Sequence, residues 1–154
     1  MKGIAMNPEM AKLEPLIGDW KMEATHDGEV TMTGTCRFAW SSEGPYLVQT
    51  ADGTATPGGP WEGHLPFPTV AITGYDDDFD SYSVLYSDAR NVQRIYEMTF
   101  ADGVITQQRD APGFFQRYTA ELSADGSRID SRWERSQDGE DWFVDFELTY
   151  SRVS

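Results

Sequence analysis

Short strand-like runs separated by tight turns limit the fold of this chain more than any other feature. Six such runs follow one another from residue 81 to residue 152, and the turns between them contain Asp102-Gly103, Pro112-Gly113, Asp125-Gly126 and Asp138-Gly139. Asp-Gly suits a two-residue hairpin, because both central residues of that turn take positive φ. Regular hairpins between alternating strands predict an up-and-down antiparallel meander.

The same pattern continues through the N-terminal half and gives ten predicted strands. They are 19–26, 29–42, 46–51, 69–75, 81–88, 92–100, 104–110, 114–123, 127–136 and 141–152. That many strands in one small domain have to close or form a sandwich, because open edges pair with other chains. Sequential hairpins with no long crossover favour a closed barrel over a sandwich. We therefore predict an all-β fold, a closed antiparallel up-and-down β-barrel of about ten strands.

A short helix is predicted before the first strand. Asn7 can cap it, Pro8 fits its first position, and apolar residues at helical spacing follow. These are Met10, Leu13 and either Leu16 or Ile17. We expect this helix to cover one end of the barrel.

Trp20 is expected to plug that end of the barrel and to donate its indole N–H to a nearby group, as buried indoles usually do. The last strand should return to pair with the first. Arg152, near the end of the last strand, could then lie over the Trp20 ring as a cation–π lid.

Composition bounds the class of protein. The 154 residues fit one domain, 1–154, and 12 basic residues against 26 acidic ones give a net charge of −14. Such acidity disfavours nucleic acid and anionic membranes as partners.

One cysteine, Cys36, leaves no disulfide framework, and we expect it to be an inert core thiol. No signal peptide or apolar run of about 18 residues is apparent, so a reduced, cytoplasmic location is expected.

Four short segments carry a family resemblance. They are LIGDW at 16–20, YLVQ at 46–49, TGYD at 73–76 and FELTYSR at 146–152. Together they resemble the DUF1579 type of lipocalin-like protein and, more broadly, the calycin superfamily of lipocalins, fatty-acid-binding proteins and nitrobindins. The resemblance implies a calycin-like barrel of eight to ten strands with an N-terminal helix and an internal cavity. Calycins mostly bind small apolar molecules, and a few are enzymes.

We predict no cofactor. Nitrobindins bind haem through a histidine near the C-terminus, but this chain has no histidine after His64. That ligand is therefore not carried over. The sequence contains no zinc motif, no phosphate-binding glycine loop and no G-x-S-x-G. The acidic run Asp76 to Asp80 is interpreted as a solvated hairpin turn rather than a calcium site.

The apolar faces of the strands should point into the barrel. In the second strand the apolar face carries Val30, Met32, Cys36, Phe38 and Trp40, and the other face carries Thr31, Thr33, Thr35 and Arg37. In the last strand, Trp142, Val144 and Phe146 share the apolar face, and Phe143 and Asp145 lie on the other. A barrel of this size either fills with side chains or holds one small ligand. If it holds a ligand, the expected binding residues are Phe38, Trp40, Tyr86, Tyr96, Met98, Tyr118, Phe146 and Arg94.

Charged groups and one loop complete the candidates. The irregular segment 52–68 should cap the barrel mouth and gate it, with His64 near the ligand. His64 and Glu97 are the candidate acid–base groups. Arg117 and Arg132 could hold an anionic head group, but cross-strand salt bridges to Glu134 or other acids on the outer surface are the better interpretation.

These observations predict the binding of a small, mostly apolar or aromatic molecule inside the barrel. The alternative is an enzyme that uses the same cavity for acid–base chemistry, of the isomerase, cyclase or lyase type. A cavity that contains a buried carboxylate with a shifted pKa would favour the enzyme. A filled barrel would leave a third possibility, an interaction protein that forms a homodimer.

Overall fold

The computed structural model describes residues 5–154, which form a closed barrel of ten antiparallel strands. Each strand pairs with the next, and the last pairs with the first. The strands are β1 Gly18–His26, β2 Glu29–Trp40, β3 Leu47–Ala55, β4 Thr69–Asp76, β5 Ser81–Asp88, β6 Gln93–Ala101, β7 Val104–Ala111, β8 Phe114–Leu122, β9 Arg128–Ser136 and β10 Phe143–Arg152. The predicted all-β up-and-down barrel is confirmed.

The predicted strand ends agree with the structure to within two residues, except in β3. This strand continues to Ala55 instead of ending at residue 51. Asp52-Gly53 has the composition of a turn, yet it pairs with Thr35 and Gly34 of β2. The two backbones approach so closely there that a Cβ on Gly34 would collide with the Asp52 carbonyl group. The irregular segment therefore begins at residue 56.

The N-terminal segment is a single helical turn followed by a 3₁₀ turn. Helix α1, Pro8–Ala11, is capped by Asn7, whose Oδ1 accepts a hydrogen bond from the Glu9 amide at 2.8 Å. The 3₁₀ turn Glu14–Leu16 continues the same apolar stripe past Pro15. The stripe residues Met10, Leu13 and Leu16 are fully buried. The predicted cap and stripe are confirmed, but the α-helix itself is only one turn long. No helix in residues 5–154 has the length and hydropathy that a bilayer crossing needs.

Trp20 and Arg152 close the base of the barrel. They are paired across β1 and β10, and the guanidinium carbon of Arg152 lies 4.2 Å from the centroid of the Trp20 ring. The Trp20 indole donates to the Leu16 carbonyl at 2.9 Å. Arg152 also donates to the carbonyls of Ile17 at 2.7 Å and Gly126 at 2.9 Å. One side chain thus ties together the N-terminal turn, the β8–β9 hairpin and the strand pair that completes the ring.

We predict that Arg152→Lys lowers the free energy of unfolding by about 2 kcal/mol or more, because a lysine cannot donate in several fixed directions while it covers the ring. Urea denaturation followed by tryptophan fluorescence measures this. Arg128→Lys is the matched control, since Arg128 is exposed and, among the described residues, its guanidinium group bonds only to Asp130. Equal stability of the two variants would contradict the role of Arg152.

A bulge in β2 changes which of its side chains are buried. Ala24 of β1 pairs with Met32 and Thr25 pairs with Val30, so Thr31 is the extra residue of β2. Thr31 and Met32 are both buried, whereas Val30 is 39% exposed. The strict alternation predicted for β2, with Val30 inside and Thr31 outside, is wrong at this point because a bulge adds one residue to a strand. From Met32 onward the predicted inner face is correct.

Candidate functional site

The barrel is not filled: it encloses a cavity of about 430 Å³. The walls are mostly aliphatic and aromatic side chains from the inner faces of the strands. Ligand pockets in proteins span about 300–1,000 Å³, so the cavity is large enough for one small molecule. A solid core, which would have removed any internal site, is excluded.

Seven of the eight predicted ligand-binding residues line this cavity. They are Phe38, Tyr86, Tyr96, Met98, Tyr118, Phe146 and Arg94. Trp40 does not belong to the lining. It lies at the end of β2, near the base, where its indole donates to Glu14 Oε2 at 3.0 Å. The alternation of apolar residues in β2 correctly predicted that Trp40 lies on the inner side of the barrel. The N-terminal segment fills the base of the barrel, so Trp40 contacts that segment and not the cavity.

The loop 56–68 lies over the opposite end, the mouth of the cavity. Thr56 holds its beginning: the amide donates to the Thr31 carbonyl at 3.0 Å, and Oγ1 donates to the Val30 carbonyl at 2.8 Å. Its end is held by the amide of Ala89, which donates to the Pro66 carbonyl at 2.9 Å. We refer to residues 56–68 as the mouth loop.

Aromatic side chains of the mouth loop reach into the barrel. Trp61 packs edge-on against Phe146 of β10, with ring centroids 5.0 Å apart, and Phe67 also lines the cavity. His64 lies at the rim and is exposed. The mouth loop therefore forms part of the cavity wall, and His64 is near the cavity as predicted.

A β-bulge in β10 turns one carboxylate into the barrel. The pairing of β10 with β9 shifts between Val144 and Phe146, so that Asp145 and Phe146 both line the cavity and Val144 is 43% exposed. The sequence predicted Val144 inside and Asp145 outside. That prediction is wrong because the bulge reverses the faces of every residue before it. Trp142 accordingly lies under the guanidinium of the exposed Arg117, 4.1 Å from it.

Asp145 is the acidic side chain of the cavity lining within residues 5–154. Burial raises its pKa, and the positive charges of Arg135, His26 and Arg94 oppose that rise. The nearest of these contacts is 3.8 Å, from Arg135 Nε to Asp145 Oδ1. A half-buried carboxylate with a raised pKa inside a cavity is a group that can hold or release a proton near a ligand.

A polar cluster adjoins Asp145 at the mouth. Gln116 is buried in β8, and its Oε1 accepts hydrogen bonds from Tyr96 OH at 3.0 Å and from Arg94 Nη1 at 3.2 Å. The Arg94 guanidinium also lies 5.1 Å from the centroid of the Phe114 ring. Burial raises the pKa of Tyr96, so its phenol stays protonated at neutral pH and acts as a donor.

Neutral polar groups lie deeper in the cavity. Burial raises the pKa of Tyr118 to about 12, and it raises that of Tyr150 well above 10. In the core behind the cavity wall, burial likewise raises the pKa of the Cys36 thiol to about 12, and Gln49 donates to its sulfur at 3.3 Å. Cys36 is thus the protonated core thiol that the sequence predicted.

The remaining candidates lie away from the cavity. Glu97 is exposed on the outer face of β6, so the expectation that it is a buried acid is wrong. The half-buried acidic side chain of the cavity is that of Asp145. Arg117 forms two hydrogen bonds with Glu134, at 3.0 and 3.1 Å, which is the predicted outer salt bridge. Arg132 is exposed opposite Glu147. Asp76 Oδ1 accepts from the amide of Asp78 at 3.0 Å, as expected of a hairpin turn.

Comparison with known proteins supports the architecture. No family model and no curated protein matches this sequence. The crystal structure of Rv2717c from M. tuberculosis is similar, with a TM-score of 0.62 over 97% of this chain and 100% of that chain. The two proteins share a fold. At 12% sequence identity, the likeness concerns the barrel and not its ligand, because one fold serves many functions.

We predict that Asp145→Asn becomes progressively more stable than the wild type as pH rises. A raised pKa in the folded state means that wild-type stability falls as Asp145 ionises above its ordinary value of 3.8, whereas asparagine carries no such cost. Urea unfolding at several values between about pH 3.5 and about pH 7 measures the difference. Asp141→Asn, which removes an exposed neighbouring carboxylate, is the matched control. A constant or opposite difference for Asp145→Asn would refute the raised pKa.

Proposed function

We propose that this protein binds a small, mostly apolar molecule in the interior of its barrel, as a lipocalin-like protein of the calycin type. The single observation that supports this most strongly is the cavity of about 430 Å³. A closed barrel whose only task was structural would gain stability from filling such a space, because voids in a core cost free energy. A retained cavity therefore supports a bound molecule.

The lining indicates the chemistry of the ligand. Leu47, Val84, Met98, Ile105 and Leu148 offer aliphatic surface. Burying roughly 200–300 Å² of apolar ligand surface contributes about 5–7 kcal/mol at about 25 cal/mol per Å². Taken alone, that free energy corresponds to dissociation constants between about 200 µM and about 10 µM. The cost of association weakens binding beyond this, so polar contacts have to add to the affinity of a tightly bound ligand.

The mouth loop provides the route of entry in this proposal. It closes the cavity with Trp61 and Phe67, and its hydrogen bonds to the barrel are few. Movement of a loop is less costly than distortion of a strand, because few buried contacts have to break. Exchange of the ligand then requires the mouth loop to swing outward while the ten-strand ring stays intact.

We predict that N-phenyl-1-naphthylamine, a neutral apolar dye, binds inside the barrel and becomes fluorescent. Ala71→Trp should weaken its binding by about tenfold or more, because Ala71 lines the cavity and the indole takes up the space that the dye needs. Val70→Trp is the matched control, since Val70 is the neighbouring residue on the outer face and is already 41% exposed.

Fluorescence titration of the two variants, with circular dichroism to verify folding, decides the question. Equal dye affinity in Ala71→Trp and Val70→Trp would place the dye outside the barrel. The proposal would also fail if the wild type did not bind the dye at all.

One observation favours the enzyme as a second candidate. Asp145 supplies a carboxylate with a raised pKa on the cavity wall, which the donors Arg94 and Tyr96 also line. We propose Asp145, in place of Glu97, as the acid–base group of an isomerase, cyclase or lyase. Incubation of the natural ligand with wild type and with Asp145→Asn tests this by mass spectrometry. A new product with the wild type alone supports catalysis, and unchanged ligand in both samples refutes it.

A further inference from the structure

A row of apolar side chains crosses the outer face of the barrel on β4, β5 and β6. Ile72 pairs with Leu85, and Leu85 pairs with Ile95. All three residues are exposed, Ile95 most of all at 67%. Directly opposite residues on neighbouring strands project from the same face of a sheet, so their side chains form one continuous surface. We refer to Ile72, Leu85 and Ile95 as the outer apolar row.

The surface around the outer apolar row is nearly free of charge. Glu97 is the one charged side chain among the residues that flank the row on the same face. These flanking residues are Thr50, Val70, Gly74, Ser83, Ser87, Gln93 and Glu97.

The opposite side of the barrel has a different character. On the outer face of β8 and β9, Arg117 pairs with Glu134 at 3.0 Å and Arg128 pairs with Asp130 at 2.9 Å. The chain as a whole has 26 acidic and 12 basic residues. The outer apolar row exposes roughly 250–300 Å² of apolar surface, and an apolar patch of that size with a polar rim often marks a contact with another protein.

The charge of the protein indicates what covers this face. Each copy of the chain has a net charge of −14, so two copies repel each other and can pack closely only where the contact itself carries little charge. A basic partner would be attracted instead to the acidic parts of the surface, which lie elsewhere. A second copy of this chain is therefore the occupant that fits an uncharged apolar face.

We infer that the protein forms a symmetric dimer through the outer apolar row, with the two-fold axis at Leu85. Stacked sheets commonly keep their strands within about 30° of each other. Ile72 and Ile95 lie on either side of Leu85, each one strand spacing of about 4.8 Å away. An axis parallel to β5 therefore places Leu85 on Leu85 of the second copy, and Ile72 on Ile95, as a two-fold interface requires.

The same axis keeps the two copies of Glu97 apart. Glu97 and Gly74 are the register partners of Ser83 on its two sides, so rotation about β5 brings Glu97 of one copy over Gly74 of the other. No heavy atom lies within 4 Å of the position that a Cβ on Gly74 would take, which leaves room for the longer side chain. The face is thus compatible with its own copy in charge as well as in shape.

The size of the contact predicts a weak, reversible dimer. The outer apolar row and its flanking residues from two copies bury on the order of 1,000 Å², which is near the lower limit for a specific interface. The contact lies on the outer side of the barrel wall. The dimer is therefore independent of the proposed binding function, and either proposal can fail without the other.

Sedimentation velocity over a series of protein concentrations tests the dimer. Between about 1 µM and about 300 µM, we expect the wild-type mass to rise from the 17.3 kDa of one chain toward twice that value. Leu85→Glu should weaken the dimer by at least about tenfold, because it brings two carboxylates together in a desolvated contact. Thr119→Glu is the matched control. It adds the same charge to an exposed position on the outer face of β8 and should dimerise as the wild type does.

Two further measurements locate the contact and its axis. A mixture of Leu85→Glu and Leu85→Lys should dimerise more strongly than either variant alone, because position 85 of one copy meets position 85 of the other. Added salt should tighten the wild-type dimer between about 20 mM and about 300 mM NaCl, since it screens the repulsion between two acidic copies. Circular dichroism verifies that each variant is folded.

Four results would overturn the inference. The first is a wild type that remains at the mass of one chain throughout, and the second is a folded Leu85→Glu that dimerises as strongly as Thr119→Glu. The third is a mixture that associates no better than its separate components, which would contradict an axis at Leu85. The fourth is a dimer that weakens as salt is added, which would indicate ion pairs instead of an uncharged contact.

Discussion

The pairing of β1 with β10 is the constraint on which the rest of the structure depends. Without it, the meander would be an open sheet with two exposed edges, and the inner faces of ten strands would have no common interior. Trp20 and Arg152 hold this pair at the base. Since the N-terminal turn fills only the base, a ring of ten strands leaves the remaining interior empty, and the cavity is a direct consequence of closure.

Most of the fold could be predicted from the sequence, because turn residues and a period of two are local signals. Asp-Gly turns located the hairpins, and seven of the eight predicted ligand-binding residues line the cavity. The errors in assigning inner and outer strand faces have one physical origin, the bulges. At Val144 and Asp145 a single extra residue reversed the faces, so the cavity carboxylate could not be found by alternation. Register depends on the partner strand, which local sequence does not specify.

Charge separates the outer surface of this barrel from its interior. The exterior carries the acidic excess that accompanies a net charge of −14, while Arg94 lines the mouth of the cavity and donates to Gln116. The structure thus combines an apolar cavity with polar groups at its mouth. The bulge in β10 adds one carboxylate to the lining, that of Asp145, whose pKa is raised by burial.

Native mass spectrometry of the protein purified from its own host tests the central claim most directly. The account predicts a native mass greater than the denatured mass, with the excess lost on denaturation and much reduced in Ala71→Trp, whose indole occupies the cavity. The lost mass would also identify the chemical class of the ligand. Identical native and denatured masses, with no uptake of any component when the protein is incubated with a host extract, would contradict the account.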